Sequence, residues 1–361
     1  MKRYYFIVGE ASGDLHAANL IKELSTLDTD ATFQGFGGER MQKEGLELTK
    51  HYQEMAFMGF WEVLMNLSAI RKNFKQAKKE LLEYKPDVLV LVDYPGFNMR
   101  MATFAKKYNI KVVYYITPQI WAWKESRVKK LKRDVDLLLP ILPFERSFFA
   151  KHGIDVNYVG HPLFDAFKEL DSRNIESEKP IIAILPGSRK QEIATSLPVM
   201  MEVAKSFENY QFIIAGAPSI SQDYYRSITQ DSYMPVLSNQ THALLKECKA
   251  AIVTSGTATL EAAILKVPQV VCYKTSSISY LLAKLVVKVK YIALVNLICD
   301  KEVVKELIQD DFNADNLVNE LNRILNKKNK TQILSDYDSL IRLLGDVGAS
   351  KRAADAINSL Q

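Results

Sequence analysis

Residues 87–102 read DVLVLVDYPGFNMRMA. Val88 to Val92 is an unbroken apolar run. Alternating apolar and polar residues would mark a strand with one wet face; a continuous run marks a strand covered on both faces, as in parallel sheets wrapped by helices. Asp93 and a Pro95-Gly96 turn follow, and then a helical stretch. The same order recurs at KVVYYI (111–116) and at the start of the chain, where Tyr4 to Val8 runs into Gly9-Glu10-Ala11-Ser12-Gly13-Asp14.

Working outward, strand candidates fall at 4–8, 31–36, 87–92, 111–116, 135–139 and 155–159. A second series falls at 180–185, 210–215, 249–253 and 268–273, with helical stretches between. Strand–helix alternation along a whole chain predicts α/β architecture with doubly wound parallel sheets. The pattern lapses in the polar DAFKELDSRNIESEKP (165–180). We therefore divide the chain into domains 1–170 and 171–361, the second ending in helices from about 301. Two such domains form a cleft, because sheets of this kind bind ligands beyond their strand C-termini.

The length of 361 residues agrees with two cores rather than one. A net charge of +5 is too small to argue for nucleic acid. Cys248, Cys272 and Cys299 form no close pair and an odd set, which argues against a disulfide framework and for a reducing cytoplasm. The first apolar run is too short for a signal-peptide core. The stretch YLLAKLVVKVKYIALVNLI (280–298) is interrupted by Lys284, Lys288 and Lys290, so it reads as a buried helix with a basic edge followed by an apolar segment, not a membrane span. The Asp-x-Asp pairs at 28/30, 134/136 and 336/338 do not follow apolar strands, so no metal or other cofactor is expected.

Four turns carry candidate chemistry. AILPGSRKQEI (183–193) passes from strand to helix through Gly187 and Ser188, with Arg189 in the first turn. Free amides at a helix start favour anions, and a guanidinium fork matches phosphate; a structural cap with a solvated Arg is the competing reading. AIVTSGTATLEAAI (251–264) repeats the design with Ser255, Gly256 and Thr257, which let a ligand approach the backbone. Glu261, one turn further, has the chemistry to accept from both hydroxyls of a ribose. Together these turns suit a nucleoside diphosphate. Asp93, at a strand's C-terminal end, is placed as a catalytic carboxylate or as a turn former. Asn296 interrupts an apolar segment and on its own reads as a turn residue.

Two segments suit a membrane surface. In MGFWEVLMNLSAIRKNFKQAKKELL (58–82), Phe60, Trp61, Leu64 and Met65 form an apolar lip ahead of Arg71, Lys72, Lys75, Lys78 and Lys79. Leu67, Ile70, Phe74 and Leu81 alternatively form a core stripe. In IWAWKESRVKKLKR, Trp121 and Trp123 precede a basic run from Lys124 to Arg133; anionic lipid, RNA and plain solvation all fit that composition.

GEASGDLHAANLI, GFGGERM, MGFWEVL, DYPGFN, TPQIWAWKESRV, LPFE, YVGHPL, LPGSRKQEI, SGTATLEAA and NLICDKEVVKELIQ, in this order, resemble the lipid-A-disaccharide synthase family over residues 4 to about 310. The resemblance implies an inverting glycosyltransferase with two Rossmann-like domains, the GT-B fold. Its reaction joins UDP-2,3-diacylglucosamine to 2,3-diacylglucosamine 1-phosphate through a β-1,6 bond and releases UDP. It further implies peripheral attachment to the cytoplasmic face of the inner membrane, a homodimer, and no nucleic-acid partner.

By the same resemblance Asp93 matches the proposed general base, Arg189 with the Gly187-Ser188 turn matches the pyrophosphate contact, and Asn296 matches a further nucleotide-site residue. Glu10, Ser12, Gly13 and Asp14 would then floor the sugar cleft, with His16 a surface histidine or a second acid/base. Gly96 stands where the family often has a carboxylate, and Asp300 where a small residue is expected. The alternative within the same fold is a UDP-sugar 2-epimerase, which needs no lipid. A non-catalytic membrane or nucleic-acid binder would leave the second domain without a role.

Overall fold

The computed structural model describes residues 1–55, 66–167, 174–230, 234–287 and 289–360. They form two compact units, Met1–Lys168 with Leu344–Gln361, and Glu169–Leu343. Each holds a six-stranded sheet in which every pairing is parallel.

The first sheet contains β1 (Arg3–Val8), β2 (Thr32–Gly37), β3 (Leu46–His51), β4 (Val88–Val92), β5 (Lys111–Tyr115) and β6 (Leu137–Leu139), in the order β3-β2-β1-β4-β5-β6. The second contains β7 (Ile181–Leu185), β8 (Gln211–Gly216), β9 (Val236–Ser238), β10 (Cys248–Thr254), β11 (Gln269–Tyr273) and β12 (Glu306–Ile308), in the order β12-β11-β10-β7-β8-β9. Within each unit the winding is the same. Strand order reverses between β1 and β4 in one and between β7 and β10 in the other, and ligands of doubly wound sheets sit at such reversals.

The continuous apolar runs are explained by two cores, one on each face of the first sheet. Tyr4, Phe6 and Val8 of β1 and Val88, Val90 and Val92 of β4 pack on one side, against the helix Ala11–Leu27. Tyr5, Ile7, Leu89 and Leu91 pack on the other, with Ala77 and Leu81 of the helix Leu67–Tyr84 and Phe97 and Met101 of the helix Pro95–Lys107. Neighbouring side chains of a strand point to opposite faces, so a strand with both faces covered leaves no position for a polar residue.

The chain end departs from the sequence-based division, which placed all of 171–361 in the second domain. The helix Ala349–Asn358 belongs to the first unit, where Ala353, Ala354 and Ile357 join the core under the helix Ala11–Leu27. Asp165 accepts the amides of Gly348 and Ser350 at 2.5 and 2.7 Å, and Arg352 Nε donates to the Val159 carbonyl at 2.8 Å. Small residues at helical spacing let this helix approach closely, a tertiary fit that local pattern does not reveal.

Three strands were not foreseen, β3, β9 and β12, and all are at or beside sheet edges. β12 also corrects the reading of 301–361 as helices only. β9 and β12 are three residues long and β3 is half-wet, so they lack the unbroken apolar signature. Conversely, the expected strand at 155–159 is extended chain without a ladder; Val156 and Val159 are buried, but the segment's contact with β6 is a single long bond from Asn157 N to Leu138 O, 3.4 Å.

The helix Ser277–Val286 is a further correction. It was read as buried, yet Leu281 and Leu285 are 63% and 77% exposed. Among the described residues no helix is long and apolar enough to cross a membrane.

Candidate active site

In the first unit the loops after β1 and β4 lie side by side at the strand-order reversal. A Cβ on Gly9 would fall 2.4 Å from the Tyr94 ring, so only glycine lets the two loops meet. Tyr94 is anchored in turn by its hydroxyl, which donates to the Met55 carbonyl at 2.8 Å.

Asp93 and Tyr94 both adopt left-handed backbone, with φ of 46° and 47°. Each such non-glycine residue costs on the order of 1 kcal/mol or more, and strain of this kind concentrates at functional sites. Two side chains hold it. Asn98 Nδ2 donates to the Asp93 carbonyl at 2.8 Å and to that of Val92 at 3.1 Å, and the Tyr114 hydroxyl donates to the Asp93 carbonyl at 2.7 Å. The backbone of Asp93 is thus fixed, while its carboxyl stands in a largely dehydrated setting. Burial pushes that carboxyl up to about 6, opposed only by the Tyr94 amide. A carboxylate poised there is suited to take a proton near neutral pH.

The GEASGD turn divides in two. Glu10 and Ser12 lie on its outer side, Ser12 exposed. Gly13 and Asp14 turn inward. A Cβ on Gly13 would stand 2.7 Å from Val8 Cγ1, so this glycine seats the helix on β1. Asp14 was expected to meet a sugar. Instead it is buried, and its two oxygens accept the amides of Arg40 and Met41, each at 3.2 Å. It caps the short helix Glu39–Lys43 behind the Gly37-Gly38 turn, and Gly38 is kept bare because a Cβ would fall 2.7 Å from Asp14 Oδ2. GFGGERM and GEASGD are therefore two halves of one support.

His16 is not on the surface either. It is buried, its Nδ1 finds no partner, and burial drives its pKa down to about 4. His161 of YVGHPL is likewise buried and lowered to about 3 by burial, with the His16 charge opposing its own. Both are neutral at physiological pH.

In the second unit the loops after β7 and β10 flank the reversal. Gly187 has φ of 115°, and a Cβ there would meet Glu192 Oε2 at 2.6 Å. Glu192 fills the anion turn: Ser188 N donates to its Oε2 at 3.1 Å and Arg189 Nη1 to its Oε1 at 2.7 Å. Ser188 and Arg189 are exposed at the start of the thirteen-residue helix Lys190–Glu202. The amide and guanidinium foreseen for phosphate thus already hold an anion, supplied by the chain. Glu192 was overlooked, although its place three residues after the N-cap position is a familiar one for a carboxylate that reaches back to the helix start.

After β10, Ser255 Oγ donates to the Ile292 carbonyl at 3.1 Å, while Gly256 and Thr257 are exposed. The helix Ala258–Ile264 has only seven residues, so its end carries little macrodipole. Glu261 is partly buried with Oε2 3.0 Å from His242 Nε2, a partner not foreseen.

Asn296 points into the protein rather than towards a ligand-accessible surface. Its side chain is fully buried, and its hydrogen-bonding capacity is filled. Nδ2 donates to the Val304 carbonyl and to Glu306 Oε1, both at 2.8 Å, and Oδ1 accepts the amides of Val303 and Val304 at 2.8 and 3.0 Å. Glu306 also accepts the amides of Ile292 and Ala293, each at 3.0 Å. Asn296, within the helix Leu294–Cys299, and Glu306 therefore fix the start of that helix and the residues just before it, to which Ser255 is tied. Asp300 is exposed and pairs with Lys290 at 3.1 Å.

Phe60, Trp61, Leu64 and Met65 lie outside the described residues. Downstream, Phe74 stacks on Phe97 with centroids 4.0 Å apart and Leu81 is buried, so the core-stripe reading holds for those two, whereas Leu67 is exposed. Trp121 is partly buried, its Nε1 donating to Glu145 at 3.2 Å, whereas Trp123 is exposed under Lys124, 4.1 Å from its ring centroid.

A family model described as lipid-A-disaccharide synthetase matches residues 4–359. A curated lipid-A-disaccharide synthase of Trichlorobacter lovleyi is 37% identical, the alignment covering 99% of this chain and 97% of the relative. One from Geobacter sulfurreducens is 36% identical over 98% and 96%. Among solved structures, the UDP-GlcNAc 2-epimerase of Neisseria meningitidis superposes with a TM-score of 0.68 at 13% identity, covering 99% of both chains. A calicheamicin glycosyltransferase superposes at 0.61 and 15% identity, over 99% and 98%. Those two likenesses are of fold, the GT-B arrangement of paired α/β units. The relatives at 35–37% identity carry the synthase name, which does not favour the epimerase alternative.

Proposed function

Because this chain belongs to the lipid-A-disaccharide synthase family of glycosyltransferases, we propose that it transfers 2,3-diacylglucosamine from UDP to the 6-hydroxyl of 2,3-diacylglucosamine 1-phosphate, with inversion. Asp93 is the general base that takes the hydroxyl proton as that oxygen attacks the anomeric carbon. Electrons of the breaking bond pass to the β-phosphate of UDP. Arg189 and the Ser188 amide neutralise that charge as it develops. Glu261, oriented by His242, accepts from the ribose hydroxyls, and Gly256 and Thr257 leave room for the diphosphate. Glu10 and Ser12 meet the sugar ring.

The observation that carries this reading is Asp93, strained, immobilised through its carbonyl and shifted to about 6, at the strand-order reversal of its sheet. A hollow lined by Lys179, Phe207 and Phe212 lies at the opposite, N-terminal ends of β7 and β8 and is not part of the site.

The reading extends to peripheral contact with the cytoplasmic face of the inner membrane through Phe60, Trp61, Leu64 and Met65, and to a homodimer. Mass spectrometry of reactions containing the two acylated glucosamine substrates tests the central claim. Disaccharide and UDP should appear only when both are present. Epimerised UDP-sugar formed without acceptor would sink it.

A further inference from the structure

The helix Ser277–Val286 presents Leu281, Lys284 and Leu285 at spacings of three and four, hence on one face. Val286 and Val287 continue the apolar surface, 49% and 38% exposed. Single exposed aliphatic residues are ordinary, but four within seven positions form a patch that needs a partner. The local sequence is basic, although Lys266 and Lys290 are paired with Asp338 and Asp300 at 2.7 and 3.1 Å. From Ala262 to Cys299 the sequence has no Asp or Glu and five lysines, 266, 274, 284, 288 and 290. The Lys284 ammonium lies over the Tyr280 ring, 5.0 Å from its centroid, which holds a cation one turn from Leu281 on the same helix.

We propose that this face docks on an anionic lipid surface, with Leu281 and Leu285 entering the acyl region and Lys284 at the level of the lipid phosphates. An apolar face bordered by cations is the composition of helices that lie in a membrane interface. A second copy of the chain is a poor occupant, because a two-fold contact through the patch would set Lys284 near its own equivalent. The patch is separate in sequence from residues 60–65 and lies in the unit that carries the Arg189 turn. The proposal does not depend on the glycosyl-transfer reading.

The full chain is sedimented with vesicles of phosphatidylcholine alone or mixed with phosphatidylglycerol. The double variant Leu281→Ser/Leu285→Ser should lose at least about tenfold in partitioning onto the mixed vesicles. Its Tm and its affinity for UDP should be unchanged. Lys284→Glu should lose binding to the mixed vesicles more than to phosphatidylcholine. A second variant, Leu285→Trp, should be quenched by brominated phosphatidylglycerol, which reports on this position even if another segment holds the protein to the bilayer. Absence of quenching, or a drop of several degrees in Tm for the double serine variant, would overturn the proposal. So would a change in oligomeric state with vesicle binding intact. Failure of UDP to bind would count against the nucleotide site and leave the vesicle result standing.

Discussion

The Glu192 carboxylate takes both donors of the anion turn, Arg189 Nη1 at 2.7 Å and the Ser188 amide at 3.1 Å. A diphosphate arriving at this turn competes with a charge of its own sign for the same two groups. The internal pair also orients the half-exposed guanidinium, so Glu192 both prepares the cradle and opposes its occupant.

Glu192→Gln keeps a hydrogen-bond acceptor and removes the charge. Half-exposed ion pairs of this kind contribute up to about 1 kcal/mol, so UDP should bind up to roughly fivefold tighter. Isothermal titration of both proteins at one ionic strength reads this directly. Weaker binding would mean that orientation of Arg189 outweighs competition.

Asp93→Asn should lower kcat by roughly 10²- to 10⁴-fold, the usual share of a general base, with little change in UDP affinity. In the parent protein kcat/KM should fall about tenfold per pH unit below pH 6, since the carboxyl, raised to about 6 by burial, must be ionised to accept a proton. A flat profile through pH 5 to 7 would remove Asp93 from that role.

The same shift has a stability consequence of opposite sense. A carboxyl whose pKa is 3.8 unfolded and about 6 folded is bound by more protons in the native state between those values. Its contribution is present below pH 4 and lost as pH rises through 6, amounting to about 3 kcal/mol. Asp93→Asn should therefore be more stable than the parent at pH 7, and the difference should shrink towards pH 4. Urea unfolding at several pH values measures both points.

Asn296→Ala should destabilise the second unit by about 3 kcal/mol, because it strands the buried amide and carbonyl of Val304. The fraction that remains folded should still bind UDP. Loss of UDP affinity at full stability would restore Asn296 as a ligand contact.

Much of this architecture is legible in the chain as written. Val88 to Val92 and Tyr4 to Val8 are apolar at every position because helices cover both faces of their sheet, and that pattern needs no coordinates to read. Gly187, Ser188 and Arg189 at a strand-to-helix turn likewise announce an anion-holding turn, because that chemistry uses a short local segment, and the turn holds the Glu192 carboxylate. Asp14 and His16 are buried where the sequence places them in the cleft or on the surface, and the Asn296 side chain is bonded within the chain, all for one reason. A polar side chain in a turn looks the same whether it faces solvent or folds back on the backbone, and which it does is set by residues distant in sequence: Arg40 and Met41 for Asp14, Glu306 for Asn296. Edge strands β3, half-wet, and β12, three residues long, sit below the threshold of periodic pattern. The place of the helix Ala349–Asn358 beside the helix Ala11–Leu27 depends on packing between chain ends more than 320 residues apart. Local pattern fixes which segments become strands and helices. Long-range burial decides which polar groups are spent on holding the fold and which are left for a ligand.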